Sequence, residues 1–385
     1  MSPPSPLPSD LRVVHVVTRY TGGSVRRVLD VVRTVPGEHV VIVGPDSDLG
    51  RVAELDDLAS VVIEDGLRRE VSPTDARAVA ALRARLRGAR PHVVHTHQSK
   101  GGLLGRVAAR AAGVPVVYHS ASMASFGPGY GRAESAVFRA AEWSTAPLVD
   151  RYFVVGRDLA DRLANGARVP RRKLEVVRST IDADRFAPGG PSARAEARAA
   201  LGLDPHEPVV AYVGSLEPRK GVTVLPEAVA VASAGAGTLV VAGDGPQAAE
   251  VEAEAERLGL RARLLGHVDR VQDVMRAADV VALPSGAEGL PQVLVQAAMV
   301  GVPFVAHDVD GVRELIDGGA AGRVVPLGDR DRFADALRTL LARRERRVAP
   351  RSRWAEWGLD HVGRRYRAAY SADLTRGTGA RRPGA

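Results

Sequence analysis

The chain has 385 residues, enough for two domains with separate cores. Hydrophobic residues make up 45% and charged residues 25%, the balance of a globular protein, and the aromatic share of 4% leaves the cores to Ala, Val and Leu. Cysteine is absent, which excludes disulfides, thiolate metal sites and cysteine nucleophiles. The net charge of +8 reads as a solvated, arginine-rich surface, with attraction to an anionic membrane face or to phosphorylated substrates as the sharper alternative. The basic residues are spread along the chain without a recognisable motif, so nucleic acid is not an expected partner.

Met1 to Asp10 is rich in proline and serine, with no apolar stretch behind it. No apolar run approaches the ~20 residues of a membrane span, so a cytoplasmic protein without a signal peptide is expected. Short Val-rich runs then alternate with longer Ala/Leu/Arg segments. The runs predict buried parallel strands and the longer segments predict crossover helices. Strands are expected from Arg12, His39, Val61, His92, Pro115 and Tyr152, with helices over Val25–Arg33, Thr74–Arg87 and Leu103–Ala112 among them.

The second half repeats the pattern. Strands are expected from Pro208, Thr238, Arg263, Asp279, Pro303 and Arg323, with helices over Val222–Ala232, Gln247–Leu258, Pro291–Met299 and Arg330–Arg347. Two βα series predict an α/β chain of two doubly wound, Rossmann-like domains. The expected boundaries are a first domain over 1–186, a Pro/Gly-flanked linker over 187–207, a second domain over 208–350, a helix over 351–374 and a disordered tail over 375–385. The late helix puts most of Trp354, Trp357, Tyr366 and Tyr370 on one face, which predicts packing against a domain surface.

Four turns follow strands and could meet a ligand. The first, around Gly22 and Gly23, opens a helix whose N-terminus offers free N–H groups to an anion. The second, Gly214 to Gly221, carries Arg219 and Lys220 against the positive end of a helix dipole, a cost that a bound phosphate reverses. Lysine occurs only at Lys100, Lys173 and Lys220, which singles out Lys220 as a compact ammonium suited to phosphate. The third is Gly243 to Pro246. The fourth, Pro284 to Gln296, holds Glu288 in a polar loop before a helix that starts near Pro291.

His92, His95, His97 and His119 cluster near two strand ends. No nearby carboxylate completes a ligand set, and His92 and His95 have opposite strand parity, so no metal is expected there; His119 is the best placed to meet substrate. The Asp-x-Asp pairs Asp46/Asp48, Asp182/Asp184 and Asp308/Asp310 stand away from the phosphate-type turns. Neither a Gly-x-Ser-x-Gly elbow nor a P-loop is present.

Taken in order, GGSVRRVLD, HTHQSKGGLLGRVAARAAGVPVVYHS, RYFVVGRDLADRL, VGSLEPRKG, VAGDGP and AEGLPQVLVQAAMVGVPFVAHDVDGVRELI resemble glycosyltransferase family 4 over nearly the whole chain. Among its members, the stretch from His95 is most similar to the branch that builds bacterial polysaccharides. The resemblance implies the GT-B fold, with an acceptor-side domain and a nucleotide-sugar-binding domain facing across a cleft, and retaining transfer to a glycan or lipid-linked glycan without metal or cofactor. It assigns Gly23, with Gly22, to the donor diphosphate, His119 to the transferred sugar, Lys220 to charge neutralisation and Glu288 to the sugar. Gly289, Leu290, Pro291 and Gln292 lead into the diphosphate-facing helix. Ser215 stands where the family usually has an arginine, which Arg219 would replace in part. Gln296 stands where a second glutamate binds ribose, and Ser120 replaces a common glycine. These departures keep two other readings open, a non-catalytic nucleotide-sugar-binding subunit and a GT-B-fold sugar epimerase.

Overall fold

The computed structural model describes residues 6–70, 72–344, 346–348 and 350–379. The chain folds as two compact units, one through Thr180 plus the segment from Glu356, the other Ile181–Ala355. Each is a parallel sheet wound with helices. Among the described residues no helix is long and apolar enough to cross a membrane.

The first unit holds β1 (Arg12–Val17), β2 (Glu38–Val43), β3 (Ser60–Ile63), β4 (Val93–His97), β5 (Val116–Ala121), β6 (Arg151–Val154) and β7 (Leu174–Val176). They pair in the order β3-β2-β1-β4-β5-β6-β7. β7 was not among the expected strands; it is three residues long and half-buried, too short for a hydrophobic pattern. Strands buried on both faces explain the Val-rich runs. Val14 and Val16 pack with Leu82, Leu86 and Leu104 on one face, while Val13 packs with Val31, Tyr118 and Phe153 on the other.

The second unit holds β8 (Val209–Val213), β9 (Thr238–Ala242), β10 (Arg261–Leu264), β11 (Val280–Leu283), β12 (Phe304–His307) and β13 (Gly322–Val325), in the order β10-β9-β8-β11-β12-β13. In both sheets the order reverses once, between β1 and β4 and between β8 and β11. The carboxyl ends of strands flanking such a reversal are where open α/β sheets bind ligands.

The boundary differs from the expected one. The segment read as a linker carries the helix Gly190–Ala200, which belongs to the second unit. Arg194 and Arg198 anchor it to Asp279, the Arg198 pair at 2.9 Å, so its arginines serve a buried carboxylate rather than solvent. The late aromatic segment breaks at Gly358 into a short turn, Arg351–Trp357, and a helix, Leu359–Gly379. This helix is more than a surface layer: Val362, Tyr366 and Tyr370 are fully buried in the first unit's core. Arg151 grips its Asp373 with two bonds of 2.8 and 2.9 Å. Of the expected disordered tail, Thr375–Gly379 continue the helix and 380–385 lie outside the described residues.

Candidate functional site

In the first unit the helix Gly23–Thr34 starts directly after β1. Gly22 has φ +56, a left-handed backbone that favours glycine, and a Cβ on Gly22 or Gly23 would meet nothing within 4 Å. Both glycines are exposed, and Gly22, which stands at the N-cap, supplies no side-chain cap.

Register decides the histidines. In the parallel pairing His15 lies beside His95, and Thr96 beside His119, so His15, His95 and His97 share one face while His119 takes the other. Thr96 Oγ1 lies 2.9 Å from the Tyr118 carbonyl and 2.9 Å from His119 Nδ1. A carbonyl only accepts, so the hydroxyl proton is committed to Tyr118 and His119 Nδ1 must donate. His119 is thereby the Nδ1–H tautomer, and its Nε2 is an acceptor. Burial, with Arg106 nearby, pushes its pKa down to about 3, which keeps the ring neutral. Gly102 makes room for it: a Cβ there would fall 2.4 Å from His119 Cε1. Beside it, buried Arg106 holds Glu142 at 2.7 and 3.3 Å, and Tyr152 donates to the same carboxylate at 2.6 Å.

The expected group of His92, His95, His97 and His119 is therefore not what the sheet assembles. His92 accepts from the Arg12 N–H at 3.0 Å. Instead His15, His95 and His97 bring ring nitrogens within 4.8 Å of one another, a spacing that parity within one strand did not anticipate. His39 Nε2 donates to the Val35 carbonyl at 2.8 Å, so its Nδ1 accepts from His15 Nε2 at 3.1 Å. His15 Nδ1 then accepts from His97 Nε2 at 3.2 Å, a one-way relay of neutral rings. Both His95 nitrogens are engaged at 2.8 Å, by Tyr370 and Ser120, and buried Arg27 lies close enough to depress His95 and His97 further. With both nitrogens of His15 and of His95 engaged and the buried His97 Nδ1 alone of this group left without a partner, the stacked rings and the neighbouring cation suit packing better than a dication.

In the second unit, β8 runs into the turn Pro218–Lys220 and β11 into the loop from Pro284. Lys220 Nζ donates to Glu288 Oε1 at 2.6 Å, with side chains 18% and 12% exposed. The lysine is thus half-buried and paired rather than open. Arg219 turns its guanidinium back, Nη1 donating to the Ala287 carbonyl at 2.9 Å. Ser215 is exposed, and its carbonyl accepts from Tyr212 at 2.7 Å.

Gly289, Leu290 and Pro291 form the buried turn into the helix Gln292–Val300, whose Gln292 and Gln296 share its half-exposed side. Leu294 N–H is taken by the Pro291 carbonyl at 3.0 Å, which leaves the amides of Gln292 and Val293 as the outward donors. Gly311 packs against this turn, since a Cβ there would sit 2.7 Å from the Gly289 carbonyl. Lys220, Glu288 and the helix start therefore gather at one sheet edge, a cation and two N–H groups beside a carboxylate, suited to a diphosphate with a hydroxylated group attached.

The remaining signals are structural. Gly243 presses on Gly214, where a Cβ would fall 1.9 Å from its carbonyl. Asp48 caps a short helix through the Gly50 and Arg51 amides, Asp182 accepts from Asp184 and Arg185, and Asp308 pairs with Arg313 at 2.5 Å. The Lys173 ammonium meets the carbonyls of Ala146, Pro147 and Val149 together. Lys100 pairs with Asp75 at 2.7 Å. Sequence reading missed Thr96, Glu142, His15 and His39, whose roles depend on which strands become neighbours.

Two families match the chain: Glycosyltransferase Family 4 over residues 21–185 and Glycosyl transferases group 1 over residues 207–343. The chain is 27% identical over 339 residues to the Escherichia coli UDP-Gal:alpha-D-GlcNAc-diphosphoundecaprenol alpha-1,3-galactosyltransferase, covering 86% of this chain and 87% of that protein. It is 31% identical over 307 residues to the D-inositol 3-phosphate glycosyltransferase of Rhodococcus opacus, covering 74% of this chain and 68% of the relative. It spans 59% of the length of the corresponding Mycobacteroides abscessus protein. Anabaena Alr3699/HepE in complex with UDP has a similar fold, with a TM-score of 0.70 at 17% identity over 96% of this chain and 98% of its own. Two family matches that between them take in both sheets, and a relative followed over most of its length, make this chain a glycosyltransferase of family 4 with the GT-B fold.

Proposed function

We propose that the chain transfers a sugar from a nucleoside-diphosphate sugar to an acceptor hydroxyl, with retention of configuration. The observation that carries this reading is the convergence of Lys220, Glu288 and the amides of Gln292 and Val293 at the switch point of the second sheet. The ammonium and amides would neutralise the departing diphosphate, the largest charge to develop as the glycosidic bond breaks. That assignment needs no metal or cofactor. The acceptor hydroxyl would pass its proton to the leaving phosphate oxygen, so no protein nucleophile is invoked. In the first unit, His119 Nε2 would accept from a hydroxyl of the transferred sugar, and the amides at Gly23 offer a further anion contact.

The diphospholipid acceptor in the Escherichia coli relative's name and the net charge of +8 both favour a lipid-linked glycan acceptor met at an anionic membrane face on the cytoplasmic side. None of the relatives above is an epimerase. The departures at Ser215 and Gln296 keep a non-catalytic binding subunit as the second reading. Incubation with UDP-sugars and a diphosphate-lipid-linked glycan decides. Free UDP and an extended acceptor support transfer; binding of the UDP-sugar without UDP release supports the binding subunit.

A further inference from the structure

The turn carrying Lys220 and the loop carrying Glu288 are joined through one residue. The Gly286 N–H donates to the Arg219 carbonyl at 2.9 Å. In the other direction, Arg219 Nη1 donates to the Ala287 carbonyl at 2.9 Å. The two bonds form a reciprocal clamp, backbone one way and side chain the other, with Lys220 and Glu288 immediately outside it. Gly221 closes the approach. Its φ is +63, and a Cβ would stand 2.4 Å from the Pro284 carbonyl. Among the described residues the guanidinium makes no tight ion pair: its carboxylate contact is Glu217, at 4.0 Å.

We propose that Arg219 is a positioning residue, which holds the 284–288 loop against the 218–221 turn so that Glu288 keeps its register with Lys220. It acts through a hydrogen bond to the loop backbone, not by lending charge to a bound diphosphate. A loop with one fewer anchor samples more positions, and a carboxylate displaced by about 1 Å loses the orientation that transfer requires. Lys220 stays on its own turn, so diphosphate binding survives. For its effect on turnover this inference rests on the transferase reading; for the loop itself it does not.

The test uses the full chain with Arg219→Ala and Arg219→Lys, the latter keeping a long donor. Hydrogen–deuterium exchange over 284–288 should quicken about tenfold or more in Arg219→Ala and return most of the way in Arg219→Lys, with distant segments unchanged. Affinity for UDP, measured by titration calorimetry, should stay within about threefold in both. Sugar transfer should fall about tenfold in Arg219→Ala, and this factor should disappear in a Glu288→Ala background, because residues acting as one unit are non-additive. Unchanged exchange in Arg219→Ala removes the clamp. A tenfold or larger loss of UDP affinity with unchanged exchange makes Arg219 a direct diphosphate ligand instead. If wild type binds no nucleoside diphosphate, the transferase reading fails while the exchange measurement still decides the clamp.

Discussion

Lys220 Nζ and Glu288 Oε1 meet at 2.6 Å, each residue contributed by a different strand end of the same parallel sheet. The Glu288 carboxylate neutralises the Lys220 ammonium. In the proposed reaction a donor diphosphate would share or displace Glu288, so the pair would link loop geometry to charge.

Lys220→Ala leaves a half-buried carboxylate without its partner. Stability should fall by about 1–3 kcal/mol, the cost of stranding such a group, where an open lysine would have cost nothing. Transfer should fall by ~10²–10³, the usual loss for one electrostatic donor to developing charge. Lys220→Ala with Glu288→Gln should recover part of the melting temperature and none of the activity. Recovery of both in the double variant would show that the pair serves folding alone.

How far the sequence carries depends on whether a feature is local. Alternating βα segments and the turns at Gly22, Lys220 and Glu288 were legible because strand-end turns are set by neighbours in the chain. The reciprocal bonds of Arg219 were not, since they require knowing that β8 and β11 are adjacent. The same holds for His15 and His39, which read as ordinary strand residues until β1 pairs with both β2 and β4. Tyr366 and Tyr370 showed an apolar face, but not that it would complete the first unit's core from the far end of the chain.

Thr96→Val removes the acceptor that fixes the His119 tautomer and the donor that serves Tyr118. Two buried groups lose a partner, so the first unit should be destabilised by about 1–3 kcal/mol. With His119 free to present either nitrogen, turnover should drop about tenfold while UDP affinity is kept. Thr96→Ser retains the hydroxyl and should restore both. If Val and Ser behave alike in turnover, Thr96 does not orient His119.

Diphosphate neutralisation by Lys220 and backbone amides predicts that transfer survives excess EDTA. Activity abolished by EDTA and restored by Mg²⁺ or Mn²⁺ would transfer that task to a cation.

Gln296 lies one turn beyond Gln292 on the half-exposed side of its helix. A glutamine can accept from one ribose hydroxyl and donate to the other, where a carboxylate would accept from both more strongly. Gln296→Glu should bind UDP as well as or better than wild type, and Gln296→Ala should lose about 1 kcal/mol. Ribose is remote from the breaking bond, so the loss belongs in KM with kcat nearly kept. Calorimetry that finds both variants indistinguishable from wild type would detach Gln296 from the ribose.

The buried histidines predict an acid limit to the first unit. His15, His95 and His97 are fully buried with pKa values driven well below the ordinary 6.5, by burial first and by neighbouring charges after it, and His39 is lowered by burial too. His119 is lowered to about 3. A histidine whose folded pKa is depressed stays neutral in the fold while the unfolded chain takes up its proton. Its contribution to stability is therefore complete above the unfolded value of 6.5 and is lost as pH falls below it. Each such histidine contributes a slope of about 1.4 kcal/mol per pH unit in that window, so several together steepen the loss. Asp30, whose carboxyl burial pushes up, works in the opposite sense. Scanning calorimetry should place the first unit's transition several degrees lower at pH 5.5 than at pH 7.5, with the second unit, where His307 is lowered by burial, less affected. His97→Gln replaces one ring of the relay with a group that does not titrate. Measured from each variant's own value at pH 7.5, it should lose less stability on acidification than wild type. A first-unit transition that does not move between pH 7.5 and 5.5 would mean that these histidines take up protons within the fold.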